Sequence, residues 1–441
     1  MSLCELSAAE AARQIRDGLI SSEELVQACL DRIAAVDDGV QAWTYLDPAF
    51  ALEQARAHDL HRQNGLPLGP LHGVPIGIKD IIDTADMPTE NGTPIHAGRA
   101  PDDDAALVAM LRQAGAIIMG KTVTTELAYF APGKTRNPHN PDHTPGGSSS
   151  GSAAAVAAHM VPAAFGSQTN GSVIRPASYC GVYGYKTTHG LISRTGVLKL
   201  SHILDTMGIF ARSIEDLALI AEQVMTFDAA DPDMRPTAKP ALVETALSDP
   251  PVEPDLAFVK TAAWKDIDED GAAAFIELAA ALGERCHEDT LPIEYDDGWA
   301  LHQTVMSVDM AHNLQGLYDN GKDQFSPQMI EMIGTGRQAS AVDYRNAMDK
   351  RDWLRSEISA FFDRYDAIIT PATSGEAPAG LDATGSPAFC TLWTYLGLPA
   401  VTIPLLAGNN DLPIGVQVVG PKGDDARLLR TVRWIVATLA E

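Results

Sequence analysis

A Gly- and Ser-rich stretch, Pro145–Gly151, leads directly into an Ala- and Val-rich segment that reads SAAAVAAHMVPAAFG. Gly and Ser runs are usually turns or flexible linkers. The composition of the following segment and the spacing of its apolar residues instead predict a buried helix. Because a flexible linker would not run straight into a buried element, the Gly/Ser stretch is predicted to be a shaped loop that feeds a helix.

Lys79 follows an apolar run, Val74 to Ile78, that is typical of a short buried strand. Its ammonium group is therefore expected at a strand end inside the protein. Burial disfavours the charged form and lowers the pKa of a fully buried lysine by up to ~3 to 5 units. A neutral lysine can serve as a base. Ser148, in the Gly/Ser stretch, and Ser172, in the polar cluster GSQTNGSVIRP, are hydroxyl groups that such a base could activate without a histidine.

The wider pattern is that of an α/β protein. From Leu71 onward, short apolar strands alternate with Ala-rich helices, which predicts a sheet covered by helices. The opening of the chain is predicted to be helical, with a capping box at Ser21–Glu24 and a further helix over about 50–63. The final segment, DDARLLRTVRWIVATLAE, is predicted to be an amphipathic helix that docks on the core.

Several longer motifs together resemble the amidase signature family, over about residues 71–212 and again over about 366–429. They read LHGVPIGIKD, DAALVAMLRQAGAIIMGKT, TELA, RNPHNP, TPGGSSSGSAAAVAA, GSQTNGSVIRPASYCGVYGYKTT, LDTMG, ARSIEDLAL, ITPATSG, LGLPAVTIPL and PIGVQVVG. The resemblance implies one large α/β domain over residues 1–441, with a mixed central sheet flanked by helices. We divide it into N-terminal helices packing outside the core (1–65), a catalytic core (66–227), a variable linker and cover region (228–364) and a C-terminal return to the core (365–441).

The resemblance also implies a set of site residues. It makes Ser172 the nucleophile, Ser148 a bridging hydroxyl held on a cis peptide, and Lys79 the base of a Ser, cis-Ser, Lys triad. Lys79 would take a proton from Ser148, which takes one from Ser172, and Ser172 would then form an acyl-enzyme. Ser149 is expected to be a supporting hydrogen-bonding residue. The predicted oxyanion hole consists of the backbone N–H groups of Thr169, Asn170, Gly171 and Ser172.

Three positions depart from the commonest family pattern, in which an Asp and two glycines approach the nucleophile. Here Gln168 stands at the position of the Asp, and Asn170 at that of the first glycine. Asn tolerates a left-handed backbone better than other residues with side chains, so the geometry is expected to survive. Arg175 lies three residues after the nucleophile instead of two, a spacing that looks like the malonamidase-type bacterial branch. Arg175 could bind a substrate carboxylate in bidentate fashion, or it could pair with a structural carboxylate.

The surroundings of three other motif matches disfavour the functions that those motifs usually indicate. GAIIMGKT, residues 115–122, fits the phosphate-loop pattern, but its apolar, β-branched centre predicts a strand. GSSSG, residues 147–151, fits the nucleophile-elbow pattern around Ser149, but a proline-rich loop precedes it where an elbow needs a strand. DIDEDGAAAFIE, residues 266–277, fits the calcium-loop pattern, but its acids are better explained as the cap of a helix over about 269–282.

Two long segments match nothing specific. Residues 228–255 are rich in Pro, Asp and Ala and are predicted to be a surface linker. Residues 297–349, which contain His302 and His312, are predicted either to shape the substrate pocket or to form a helical cover over the sheet.

The composition of the chain limits the classes of partner that it is expected to bind. The formal net charge of −26 disfavours nucleic acid, because such binding depends on cationic contacts with phosphates. Five scattered cysteines suggest reduced thiols in a cytoplasmic protein, and no leader or membrane-spanning segment is seen. No metal or cofactor is implied, and a homodimer is suggested by the family alone.

These observations predict an amidase that hydrolyses a small amide to a carboxylic acid and ammonia or an amine. The substrate carries a carboxylate if Arg175 contacts it. Two alternatives remain open: the glutaminase (A) subunit of a tRNA-dependent amidotransferase, and a non-catalytic relative that serves as a binding or scaffold protein.

Overall fold

One mixed β-sheet forms the centre of the structure, a computed structural model that describes residues 2–440. Within those residues the sheet has eleven strands. In chain order they are β1 Trp43–Leu46, β2 Pro75–Lys79, β3 Ile117–Thr122, β4 Ala163–Gln168, β5 Tyr183–Lys186, β6 Thr206–Ala211, β7 Leu256–Val259, β8 Cys286–Asp289, β9 Ala367–Pro371, β10 Ala400–Ala407 and β11 Pro413–Val419.

The sheet order is β1-β3-β2-β4-β6-β5-β10-β11-β9-β7-β8. Strand β2 lies between β3 and β4 and runs parallel to both, whereas β4 pairs antiparallel with β6. Helices cover both faces of parallel strands, which explains why all residues of β2, β3 and β4 are buried. Parallel strands bring their carboxyl ends to the same edge, so the ends of β2 and β4 are neighbours there.

Fifteen α-helices occur within residues 2–440 and surround the sheet. They are α1 Ala8–Asp17, α2 Ser22–Val40, α3 Pro48–Gln63, α4 Ala106–Gln113, α5 Ser150–Ala157, α6 Ile174–Cys180, α7 Ile214–Val224, α8 Leu242–Leu247, α9 Glu269–Ala281, α10 Gly298–Asn313, α11 Gln315–Gly321, α12 Pro327–Gln338, α13 Ala341–Phe362, α14 Ala388–Leu396 and α15 Asp425–Ala440. The predicted single α/β domain with a mixed sheet is confirmed. The buried helix predicted after the Gly/Ser stretch is also confirmed, because nearly all of α5 is buried.

The N-terminal region confirms one prediction and adds a strand that was not predicted. Helix α2 begins with the predicted capping box, in which the Ser21 hydroxyl accepts from the Glu24 N–H and the Glu24 side chain accepts from the Ser21 N–H. The helix is packed tightly against the rest of the chain, because its residues Leu25, Val26 and Cys29 are fully buried and belong to the main hydrophobic core. Strand β1 was not predicted at all, and it extends the sheet by pairing with β3.

The region 228–364 is also more closely packed than predicted. Helix α8 lies within the supposed surface linker and packs against α7 and α15, burying Leu242 and Ala246. Helix α9 matches the predicted helix, and Asp268 caps it by accepting a hydrogen bond from the Gly271 N–H. The stretch 297–349 forms α10, α11, α12 and part of α13. At the C-terminus, α15 is the predicted amphipathic helix.

The other motif matches take the structures predicted for them. The GAIIMGKT segment forms strand β3, and Lys121 within it is buried, with its Nζ donating to the Ile82 carbonyl and the Thr89 hydroxyl. Ser149 is the N-cap residue of α5, and a loop precedes it in place of a strand. Among the helices of residues 2–440, none combines the length and the apolar character needed to cross a membrane.

Candidate active site

Lys79 occupies the carboxyl end of β2 and is fully buried. Its Nζ donates to the Ser148 hydroxyl at 2.7 Å and to the Ser167 hydroxyl at 2.9 Å. Burial holds the pKa of Lys79 well below its usual value; the Asp205 carboxylate opposes this shift and the Arg175 guanidinium adds to it. A lysine in this environment can be neutral at the pH where a surface lysine is charged, which is what a base requires.

Ser148 is held in the turn before α5. The Gly147–Ser148 peptide bond is cis, as the family resemblance implies. Gly146 has a φ of +80°, and a Cβ at that position would lie 2.8 Å from the Pro176 Cα, so a glycine is required for both reasons. The neighbouring Ser149 hydroxyl is buried and contacts the backbone of Ser167, donating to its carbonyl at 3.3 Å.

Ser172 lies in the loop between β4 and α6 and is 8% exposed. Lys79, Ser148 and the Ser172 loop therefore meet at one edge of the sheet, although Ser172 comes 93 positions after Lys79 in the sequence. Within residues 2–440 the Ser172 hydroxyl makes no hydrogen bond, so the link from Ser148 to Ser172 is open in this conformation.

The peptide carbonyls at the start of this loop are all engaged. The Thr169 carbonyl accepts from His302 Nε2 at 2.8 Å, the Asn170 carbonyl from the Thr394 hydroxyl at 2.6 Å, and the Gly171 carbonyl from the Arg175 N–H at 3.0 Å. In contrast, no acceptor within residues 2–440 is bonded to the N–H groups of the predicted oxyanion hole. The loop therefore holds its carbonyls fixed and leaves its amides available.

Gln168 has a structural function that the sequence did not indicate. Its Oε1 accepts hydrogen bonds from the N–H groups of Val173 and Ile174, at 2.8 and 3.0 Å, and its Nε2 donates to the Thr394 hydroxyl at 2.9 Å. These two N–H groups lie at the start of α6, where backbone donors lack partners within the helix. A neutral side chain thus supplies the acceptor at this end of residues 169–173, the segment that we call the nucleophile loop after the predicted role of Ser172.

Asn170 does not need the conformational tolerance that was expected of it, because it does not adopt a positive φ. Its Oδ1 accepts from the Thr391 hydroxyl at 2.6 Å, while its Nδ2 is buried and has no partner within residues 2–440. Gly171 is required for space, since a Cβ there would lie 2.9 Å from the Pro387 Cβ. Contacts with Pro387 and Thr391, and not a left-handed backbone conformation, therefore explain why Asn170 and Gly171 occupy these positions.

Sequence reasoning missed Asp205 and Ser167. Asp205 accepts from the Thr169 hydroxyl at 2.6 Å and from the Leu200 and Ser201 N–H groups at 2.9 Å, and burial raises the pKa of its carboxyl group. It thereby fixes the Thr169 side chain at the start of the nucleophile loop. Asp205 belongs to the LDTMG block, so its place in a shared motif was the signal that could have identified it.

Arg175 is buried and points toward the cis peptide. Its Nε and Nη2 donate to the Gly147 carbonyl at 3.2 and 2.6 Å, its Nη1 donates to the Gly385 carbonyl, and its guanidinium lies 5.6 Å from the centre of the Phe130 ring. Burial lowers the pKa of Arg175. It forms no ion pair with a carboxylate among the described residues 2–440, so the structural-carboxylate interpretation is wrong.

Two cavities adjoin these residues. One, of about 220 Å³, is lined by Ser167, Thr169 and Asp205 together with apolar side chains such as Met207. The other, of about 690 Å³, lies between the loop at 129–130 and the helices α10 and α12. Across the described residues 2–440, no group of three or more His, Cys, Asp or Glu side chains is arranged to hold a metal.

Known proteins resemble this chain in both sequence and fold. The sequence matches the Amidase family over residues 24–429. It is 33% identical to the A subunit of the glutamyl-tRNA(Gln) amidotransferase of Salinispora arenicola, with 97% of this chain and 96% of that one aligned. The native peptide amidase of Stenotrophomonas maltophilia superposes with a TM-score of 0.86 at 28% identity, covering 99% of this chain and 97% of that one.

A second structural relative comes from work described as "An unexpected vestigial protein complex reveals the evolutionary origins of an s-triazine catabolic enzyme". It superposes with a TM-score of 0.92 at 28% identity and covers 98% of both chains. The matched residues span nearly the whole sequence, and they include every element that carries the site. The chain therefore belongs to the amidase signature family, whose members are hydrolases that act on carbon–nitrogen bonds.

Proposed function

We propose that the protein hydrolyses an amide through an acyl-enzyme on Ser172, with Ser148 and Lys79 as its proton relay. The observation that carries this proposal is the 2.7 Å hydrogen bond from Lys79 Nζ to the Ser148 hydroxyl, in a site where no carboxylate of residues 2–440 pairs directly with Lys79. A lysine whose pKa is lowered by burial can accept a proton, and a serine hydroxyl can both accept and donate one.

The steps follow from this relay. Lys79 takes the Ser148 proton as Ser148 takes the Ser172 proton, and the Ser172 oxygen attacks the amide carbonyl. The N–H groups at the predicted oxyanion hole then stabilise the negative charge on the carbonyl oxygen. The relay runs in reverse to protonate the leaving nitrogen as the carbon–nitrogen bond breaks. Water then attacks the acyl group, transferring its proton to the relay and releasing the carboxylic acid.

The curated relatives favour glutamine as the substrate. They are A subunits of glutamyl-tRNA(Gln) amidotransferases, and they favour the glutaminase role over that of a stand-alone amidase. In that role the chain would release ammonia from glutamine and work with partner subunits. The alignment with the S. arenicola protein extends over 476 positions, whereas this chain has 441 residues, so the relative carries segments that this chain lacks.

The second candidate is a stand-alone amidase for a small amide, and Arg175 favours a substrate that bears a carboxylate. A buried guanidinium with no acidic partner among residues 2–440 favours an anionic ligand. Glutamine also carries a carboxylate, so Arg175 is compatible with both candidates. The Asn170 Nδ2, which no acceptor of residues 2–440 satisfies, is a further donor that a polar substrate group could engage.

Two measurements test the chemistry. Peptide mapping after treatment with a fluorophosphonate should find one adduct, on Ser172, and none in Ser172→Ala. Ammonia release should then be measured from glutamine, from monoamides of small dicarboxylic acids and from neutral amides. The absence of both an adduct and ammonia would favour the non-catalytic alternative.

The requirement for partner subunits distinguishes the glutaminase subunit from the stand-alone amidase. Glutamine turnover that occurs only when amidotransferase partner subunits are added would support the glutaminase role. Turnover of a small acidic amide by the chain alone would support the stand-alone amidase. Sedimentation of the purified chain would test the predicted homodimer in the same preparation.

A further inference from the structure

His302 connects the cover region to the nucleophile loop. It lies on α10, in the stretch 297–349 that matched no motif, and its side chain is fully buried. Its Nε2 lies 2.8 Å from the Thr169 carbonyl oxygen. A carbonyl oxygen only accepts hydrogen bonds, so Nε2 must carry the proton. Nδ1 is then an acceptor, and Gln303 Nε2 lies 3.5 Å from it.

The contact determines the orientation of one peptide group. The Thr169–Asn170 bond is trans, and in a planar trans peptide the C=O and N–H bonds point in opposite directions. Fixing the Thr169 carbonyl toward α10 therefore fixes the direction of the Asn170 N–H on the other side of the loop. That N–H has no acceptor within residues 2–440.

We propose that His302 is a positioning residue that aims the Asn170 N–H at the carbonyl oxygen of the reacting amide. The inference rests on the proposed acyl-enzyme chemistry at Ser172, in which that oxygen becomes negatively charged. An oxyanion donor is effective only when it is held in place before the charge develops. The Thr394 hydroxyl and the Arg175 N–H hold the next two carbonyls in the same way.

The protonation state of His302 is compatible with this role. Burial lowers the pKa of His302 to about 4, while its hydrogen bond to the Thr169 carbonyl partly opposes the shift. The ring is therefore neutral at pH 7, with one donor and one acceptor nitrogen. The protonated Nε2 donates to the Thr169 carbonyl and the unprotonated Nδ1 accepts from Gln303 Nε2, so both contacts favour the same ring orientation.

Three substitutions at His302 separate positioning from packing. The amide of His302→Gln can place a donor near the position of Nε2, whereas the shorter amide of His302→Asn cannot reach it, and His302→Leu keeps much of the volume with no donor. The matched control is His312→Gln, which changes an exposed histidine on the same helix. The probe is a fluorophosphonate, whose reaction with Ser172 gives both a maximal rate and a half-saturating concentration.

The maximal labelling rate should fall about 10- to 100-fold in His302→Leu and His302→Asn, because removing an oxyanion donor outright costs roughly 10²- to 10³-fold. The half-saturating concentration should stay within about twofold, and His302→Gln should recover most of the rate. His312→Gln should behave like the wild type. Melting temperatures measured on the same samples would identify a loss caused by unfolding.

The outcomes are separable. If the wild type itself is not labelled on Ser172, the proposed function fails. If the wild type reacts and His302→Leu matches His312→Gln, the positioning role is overturned. The role is also overturned if the half-saturating concentration rises by as large a factor as the maximal rate falls. A fall in the maximal rate that His302→Gln does not recover overturns it as well. Failure of both His302→Leu and His302→Asn to fold would assign His302 to packing.

Discussion

Two buried lysines on neighbouring strands differ sharply in their surroundings. Lys79 ends β2 and Lys121 lies in β3, and the register pairs Lys79 with Thr122 and Ile78 with Lys121. Because side chains alternate along a strand, the two lysines are on opposite faces of the sheet. Lys121 donates to a carbonyl and two threonine hydroxyls and lies near the Asp80 carboxylate, which opposes the fall in its pKa, to about 8, caused by burial.

Among residues 2–440, Lys79 has only two serine hydroxyls as acceptors. Both lysines are equally inaccessible to solvent, so burial alone does not distinguish a base from a structural cation. The distinction lies in what surrounds the nitrogen. Each lysine has a nearby carboxylate that favours its ammonium form, Asp80 for Lys121 and Asp205 for Lys79. Lys121 also donates to a carbonyl group, whereas Lys79 donates only to hydroxyl groups.

The largest expected difference is in activity. Lys79→Met should lower the rate of Ser172 labelling by about 10³- to 10⁴-fold, because the general base is lost. Lys121→Met should leave the rate per folded molecule within about threefold. Fluorophosphonate labelling of the two purified variants, corrected for the folded fraction, measures both effects. A comparable loss in Lys121→Met would contradict the assignment of these two roles.

For the free energy of unfolding, the larger effect is expected in Lys121→Met and the smaller one in Lys79→Met. Lys121→Met leaves the Asp80 carboxylate without its nearby cation and removes the donor for the Ile82 carbonyl, so the free energy of unfolding should fall by about 2–4 kcal/mol. In Lys79→Met two hydroxyl groups lose a hydrogen-bond donor, and the nearby Asp205 carboxylate keeps its own three donors, so the change should stay within about 1 kcal/mol. Urea unfolding followed by circular dichroism compares the two variants, and equal losses would remove the distinction between them.

Charge near Lys79 should shift the pH dependence of labelling. The reaction requires neutral Lys79, so its rate rises as the pH passes the Lys79 pKa. The positive charge of Arg175 helps to lower that pKa. Arg175→Met should therefore move the acidic limb of the profile to higher pH. Arg175→Lys keeps the charge and serves as the control; the same shift in both variants would show that charge is not the cause.

The smallest effect is expected at the second acceptor of Lys79. Ser167→Ala removes one hydrogen bond to Nζ and should lower the labelling rate by about three- to tenfold, as expected for roughly 1 kcal/mol. Ser152→Ala is the matched control, because the Ser152 hydroxyl is also buried and donates to the Phe165 carbonyl of β4 without touching Lys79. An equal loss in the control would assign the effect to packing of β4.

Local patterns were sufficient to predict several parts of this structure. The burial of Lys79 followed from the apolar run of β2, the start of α2 from its capping box, and the cap of α9 from its acidic residues. Each depends on residues only a few positions apart. The partners of Arg175 could not be predicted in this way, because Gly147 and Gly385 approach it from distant parts of the chain.

Long-range contacts account for most of what was missed. His302 reaches a carbonyl 133 positions away, and Thr391 contacts Asn170 across 221 positions, so no local spacing reveals either. Strand β1 is four residues long and partly exposed, and it is a strand because β3 offers it an edge. The packing of α8 in the supposed linker likewise depends on α7 and α15.

Helix α10 carries two functions at adjacent positions. Gln303, Thr304 and Ser307 line the larger cavity, while His302 holds the nucleophile loop. A helix moves as a unit, so a substitution that widens the cavity by shifting α10 also moves the donor at Thr169. Substitutions that reshape this cavity through α10 should therefore also change the rate of Ser172 labelling, while the Thr394 hydroxyl of α14 still holds the next carbonyl of the loop.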